Sequence, residues 1–188
     1  GSGSAARSIY GGLVQMHQGT LSDGSDAFAT PLPQHQLDLA MLVIPCDQGP
    51  KKVSSTDGMN HTQMTSPYYQ AWVHTHDADI AKAKTAIEGN DFNLLGQVME
   101  HSTLKMHATA LTAQPGLWYW NSKTWQALEK IRELRTPELP FYFTMDAGPH
   151  VKVLVQRPHM KQIKNLLAKH LQRSQDDIWT STAGGPAH

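Results

Sequence analysis

The 188-residue chain contains little that points to several broad classes of protein. It has one cysteine, Cys46, so no disulfide can form within it, and a reducing cytoplasm is the default compartment. No charge of one sign prevails. Sixteen Lys and Arg balance sixteen Asp and Glu, which favours neither nucleic acid nor an anionic membrane as a partner. No apolar run approaches the roughly 18 residues of a membrane-spanning helix, and no secretory leader is visible. There are no internal repeats. The chain also lacks an initiating Met, so it reads as a fragment or as a product of cloning. It does have 39% hydrophobic residues, enough to pack one sizeable domain with a remnant of another.

The opening GSGS is followed by a short apolar stripe, Ile9, Leu13, Val14 and Met16, which predicts a helix ended by Gly19. The stretch TLSDGSDAFATPLPQHQ is polar, carries two prolines, and reads as a connection with at most one helical turn. It places a domain boundary at 36/37. The run LDLAMLVIP over 37–45 predicts a buried strand, and a loop through residue 65 follows it. Ser66-Pro67 reads as the start of a helix with apolar positions at Tyr68, Trp72, His76, Ile80, Ala83 and Ile87, stopped at Gly89-Asn90. A second helix carries Phe92, Leu95, Met99, Met106 and Ala110, and a third carries Trp120, Thr124, Leu128, Ile131 and Leu134. FYFTM and VKVLVQ flank DAGPH as a hairpin, RPHMKQIKNLLAKHL is a further helix, and DDIWTST is a last strand. The order β-α-α-α-β-β-α-β over 37–188 predicts an α+β domain, a mainly antiparallel sheet with helices packed on one face.

GSGS at a terminus reads as a cloning linker, yet it also holds the ingredients of an anion site. Glycines let backbone approach a ligand, and the N-terminus of a helix favours negative charge. Ser4 would cap such a helix, and Arg7, three residues on, projects from the same side. GSGSAARSIYGG resembles the phosphate-binding loop and following helix of the diphosphomevalonate decarboxylases, members of the GHMP kinase superfamily. Three further segments match in order: KKVSSTDGM resembles the serine-rich substrate loop, MHAT (106–109) followed by Pro115 resembles the F/M-H-A-T segment, and FYFTMDAGPHVKVL resembles the D-A-G-P-N signature. The matches cover nearly the whole chain. They imply a remnant of the N-terminal domain over 1–36 and a GHMP-kinase C-terminal domain over 37–188. The family's upstream Lys-Tyr-Trp-Gly-Lys segment is missing from this sequence.

The resemblance implies ATP-dependent decarboxylation of mevalonate 5-diphosphate to isopentenyl diphosphate, with Mg²⁺ accompanying ATP. The tertiary 3-hydroxyl is phosphorylated, then phosphate and CO₂ leave. Asp146 is the implied acid that orients the 3-hydroxyl and takes its proton. Arg7 is implied to grip the substrate carboxylate and to keep Asp146 ionised. Ser2, Gly3 and Ser4 are implied to line the phosphates of ATP, with Ser2 also reaching substrate. Ser55 and Thr56 are implied at the substrate diphosphate, and Lys52 adds positive charge. No dedicated metal ligands are expected, so phosphates would hold the ion. Two positions depart from the family. His150 stands where Asn is usual, and Asp57 puts a negative charge near the expected diphosphate.

Other readings stay open. On residues alone, Asp146 is equally an Asx-turn aspartate, Arg7 a surface arginine, and Ser55 and Thr56 ordinary loop residues. The polypeptide alone could be an inactive anion-binding module, or part of a sister enzyme acting on the monophosphate or on mevalonate itself. A homodimer is compatible with the sequence. His74 and His76, two apart on a helix, point to different sides and do not make a metal pair. His107 reads as packed or hydrogen-bonded, and Trp72, Trp118, Trp120 and Trp125 as core.

Overall fold

The computed structural model describes residues 9–32, 36–49 and 53–185. The chain forms two compact units, residues 1–36 with 182–188 and residues 37–181. In the first unit the predicted helix through Val14 and Met16 is replaced by strand β1 (Val14–Met16), paired antiparallel with β2 (Ala29–Pro31). Gly12 stands at φ +73°, left-handed backbone that interrupts a right-handed helix. Backbone bonds go across the hairpin instead, from His17 N–H to Phe28 O (2.8 Å) and from Leu32 N–H to Leu13 O (2.9 Å). Gly19 has a different task from capping. A Cβ there would stand 2.3 Å from Asp26 Oδ1, and the Asp26 carboxylate uses the space to accept from Thr20 N (2.6 Å) and Thr20 Oγ1 (2.8 Å), closing the loop.

The second unit begins with β3 (Leu39–Ile44), where the apolar run was predicted. Ala40, Leu42 and Ile44 point into the core, in register with Val155, Val153 and Val151 of strand β5 (Val151–Gln156). Between them come four helices rather than the expected three: α1 (Ser55–Thr65), α2 (Tyr69–Glu88), α3 (Phe92–Leu111) and α4 (Ser122–Leu134). The predicted loop through residue 65 is therefore wrong in its second half. Ser66 closes α1, its N–H bonding Thr62 O (2.9 Å), and does not cap α2, which has no side-chain cap bond at all. The α2–α3 break falls at the expected place. Asn90 takes a left-handed φ of 54°, and Asp91 caps α3 through its carboxylate.

Strand β4 (Tyr142–Thr144) and β5 form the antiparallel hairpin, and the four-stranded sheet runs β4-β5-β3-β6, with β6 spanning Trp179–Thr182. α4 and α5 (Met160–His170) cover one face through Ala127, Leu128, Ile131, Ile163 and Leu167, packed on Phe141, Phe143 and the inward valines. Fully burying each Val, Leu or Ile contributes about 1.5–3 kcal/mol, so this face supplies much of the unit's stability.

α3 runs along the free edge of β4. Glu100 Oε1 accepts the edge N–H of Phe143 at 2.9 Å and pairs with Arg135, whose guanidinium lies 4.2 Å from the Tyr142 ring centre. The edge strand is thereby blocked from pairing with another chain. Close approach needs Gly96, because a Cβ there would stand 2.0 Å from the Tyr142 ring.

The expected core role of the tryptophans fails for two of them. Trp118 is 75% exposed and Trp125 55%, the latter resting edge-on against Trp120.

Candidate active site

Asp146 follows β4 in the turn that leads into β5, and the turn is held from several sides. Gly148 N–H bonds Asp146 O (2.7 Å), a tight local closure. Thr124 Oγ1 donates to Pro149 O (2.9 Å), and Thr124 belongs to the capping box that starts α4 with Asn121. Asn121 Nδ2 in turn donates to Cys46 O (2.9 Å), and Cys46 N–H donates to His150 Nδ1 (3.1 Å). The end of β3, the start of α4 and the 146–150 turn are thus tied into one frame. The bond to His150 explains the departure from the usual Asn. Imidazole Nδ1 and amide Oδ1 lie the same number of bonds from the backbone, and each can accept one N–H.

The Asp146 side chain is 61% exposed, and its Oδ1 pairs with Lys152 Nζ at 2.9 Å. Behind it, on α3, His107 is 1% exposed and packs against the rings of Tyr119 (centroids 5.9 Å apart) and Trp120 (5.0 Å). Burial drives the His107 pKa down from 6.5 to about 4; the charge of Asp146 opposes this and that of Lys152 adds to it. His107 is therefore neutral at physiological pH. Burial also pushes up the Tyr119 phenol and the Cys46 thiol, which argues against a reactive cysteine.

A cavity of about 270 Å³ adjoins the turn, lined by Val53, Leu117–Asn121 and Ala147–His150. A larger, more open groove of about 740 Å³ lies beyond His150, between Pro45–Gly49, Lys123 and Leu171–Arg173. The smaller cavity matters more for chemistry, because Val53 on its rim immediately precedes Ser54, the N-cap of α1. There Ser54 is the N-cap, accepting from Asp57 N–H (3.0 Å) and donating to Asp57 Oδ2 (2.7 Å). The Asp57 carboxylate is thus turned back onto the cap, where the helix dipole favours it. Ser55 and Thr56 occupy the exposed first turn, and helix geometry aims their N–H groups out of the helix end, a polarity suited to an anion.

α1 is fixed in place by the segment after α3. His61 Nε2 meets Pro115 O (2.8 Å), Thr65 Oγ1 accepts from Gln114 N–H (3.0 Å), and Ser66 Oγ meets Thr112 Oγ1 (2.9 Å). Gly58 lets Tyr119 in: a Cβ there would stand 2.1 Å from the phenol oxygen.

Of the residues singled out from sequence, Asp146, Ser55 and Thr56 are thus described. Ser2, Gly3, Ser4, Arg7 and Lys52 lie outside the described residues. His74 and His76 sit on the exposed stretch of α2. Among the described residues no cluster of three or more His, Cys, Asp or Glu could hold a metal ion, and no helix is long and apolar enough to cross a membrane.

Residues 41–185 match a family profile described as the mevalonate 5-diphosphate decarboxylase C-terminal domain. A diphosphomevalonate decarboxylase from Ganoderma lucidum is 32% identical over 185 residues, covering 94% of this chain and 46% of the relative. The crystal structure of mevalonate diphosphate decarboxylase from Staphylococcus aureus superposes with a TM-score of 0.90 at 40% identity, covering 98% of this chain and 55% of that one. A structure described as MDDEF in complex with MVAPP, AMPPCP and magnesium gives 0.89 at 41% identity, with 98% and 56% covered. The chain spans about half the length of the curated relatives it matches.

Proposed function

The chain belongs to the mevalonate 5-diphosphate decarboxylase C-terminal domain family, and from that premise we propose that the protein carrying it converts mevalonate 5-diphosphate to isopentenyl diphosphate, with ATP as co-substrate. The observation that carries the reading is the placement of Asp146. It stands exposed on a turn braced by α4 and β3, paired with Lys152, next to turn residues 147–150 that line a cavity with Val53, the residue before the cap of α1.

In this reading Asp146 orients the 3-hydroxyl and accepts its proton as the phosphoryl group is transferred from ATP. The first turn of α1, with Ser55 and Thr56, holds the substrate diphosphate through N–H and hydroxyl donors. Arg7 grips the carboxylate that leaves as CO₂, and Ser2, Gly3, Ser4 and Lys52 serve the phosphates. Mg²⁺ neutralises the triphosphate. The ion would be held mainly by phosphate oxygens. The single cysteine, buried at the end of β3, suits a reducing compartment, the cytoplasm.

The test is product analysis with the complete protein, given ATP, Mg²⁺ and in turn mevalonate 5-diphosphate, its 5-monophosphate and mevalonate. The reading expects CO₂ and phosphate released together, fastest with the diphosphate. Phosphorylation without CO₂ would replace it with a 3-kinase, and preference for the monophosphate with a sister decarboxylase.

A further inference from the structure

We propose that His107 is the positioning residue of Asp146: its imidazole holds the main chain of the turn and so aims the carboxylate toward substrate. The proposal rests on the assignment of Asp146 above.

The register of α3 against β4 makes the case. Gly96 meets Tyr142, and Thr103 Oγ1 meets Thr144 Oγ1 at 3.0 Å. One helical turn beyond Thr103 on the same helix face is His107. Two residues beyond Thr144, past the end of β4, is Asp146; Met145 between them is buried in the core as Phe143 is, so the in-out alternation carries over to Asp146. From the Gly96–Tyr142 contact to the Thr103–Thr144 contact the helix and the strand run in the same direction, and continuing past Thr144 brings His107 beside Asp146. The charges of Asp146 and Lys152 are both felt at the ring, as is a main-chain polar group of Asp146, which agrees with that placement.

Packing alone does not account for a histidine here. Its Nε2 is buried without a partner, and so are Tyr119 Oη and Trp120 Nε1 on the two rings it touches. Each such orphan is destabilising, and a Leu or Phe would fill the space without it. What imidazole supplies that Leu cannot is a polar contact to the turn. What it supplies that Lys or Arg cannot is that contact without a second cation. Lys152, half-buried and opposite Thr144, already pairs with the carboxylate, and a second cation at position 107 would compete with it.

The experiment compares His107→Leu, His107→Asn, His107→Gln and Asp146→Ala in the complete protein, with steady-state turnover and thermal midpoints for each. For His107→Leu we expect a kcat loss of about 30- to 100-fold, the scale of a misplacement near 1 Å, with KM for both substrates within about threefold. His107→Asn, whose amide matches Nδ1, recovers tenfold or more even if His107→Leu folds poorly, whereas His107→Gln, which reaches the partnerless Nε2 position, does not. If His107→Leu keeps kcat within threefold while Asp146→Ala is inactive, positioning by His107 is wrong and the role of Asp146 stands. If His107→Asn is as slow as His107→Leu at normal thermal midpoints, the polar contact is not what matters and the proposal falls. If Asp146→Ala itself turns over normally, both readings fall together.

Discussion

Acidification should destabilise the second unit through His107 by an amount the structure lets us calculate. The buried ring has a pKa of about 4, against 6.5 for the ordinary side chain. Between those values the unfolded chain binds a proton that the folded chain refuses, so stability falls as pH falls through 6.5 and levels off below about 4. The full span is about 3 kcal/mol, most of it expressed between pH 7 and pH 4.5. Many carboxylates titrate over the same range, so the parent's own pH profile does not isolate the effect. The comparison with His107→Gln does, because that variant keeps every other group and lacks the imidazole. Urea unfolding at fixed ionic strength, run for both proteins at pH 7 and 4.5, should show the parent losing about 2–3 kcal/mol more than the variant. Parallel losses, within about 0.5 kcal/mol of each other, would refute the argument that burial keeps this ring neutral.

The tight approaches of helix to sheet and loop give further tests. Gly96→Ala puts a methyl into the Tyr142 ring and should cost at least 1–3 kcal/mol, read as a lower urea midpoint. Gly58→Ala should push Tyr119 away from α1; we expect a similar loss of stability together with a raised KM for mevalonate 5-diphosphate and little change in KM for ATP. Asn121→Ala removes the cap of α4 and its tie to Cys46, with an expected cost of about 1–2 kcal/mol by denaturant titration.

The sheet was the most legible part of the chain. β3 and β5 are apolar runs whose inward residues pair directly, and α5 carries a strong apolar stripe at Ile163 and Leu167. The Gly89-Asn90 stop was visible because only local backbone decides it. α1 was missed because its sequence, STDGMNHTQMT, has no apolar stripe: it buries only Gly58 and Thr62, and its place is set by bonds to Gln114 and Pro115 some 50 residues away. β1 was misread because three residues cannot distinguish a strand period from a helical one, and its partner lies beyond a polar loop. Asp146 could be named from its motif. The meeting of His107 with Asp146 could not, because it depends on the register of α3 along β4. Trp118 and Trp125 were expected inside by residue type, yet one lines the cavity and the other leans on Trp120 from outside.

The account depends most on the Asp146 carboxylate being the group that acts on the substrate hydroxyl. Measuring CO₂ release by the complete protein and its Asp146→Asn variant, alongside equilibrium binding of mevalonate 5-diphosphate, tests that directly. Asn keeps the size and the turn while removing the base, so turnover should fall by about 10²- to 10⁴-fold with binding nearly unchanged. Turnover within a few-fold of the parent would contradict the account.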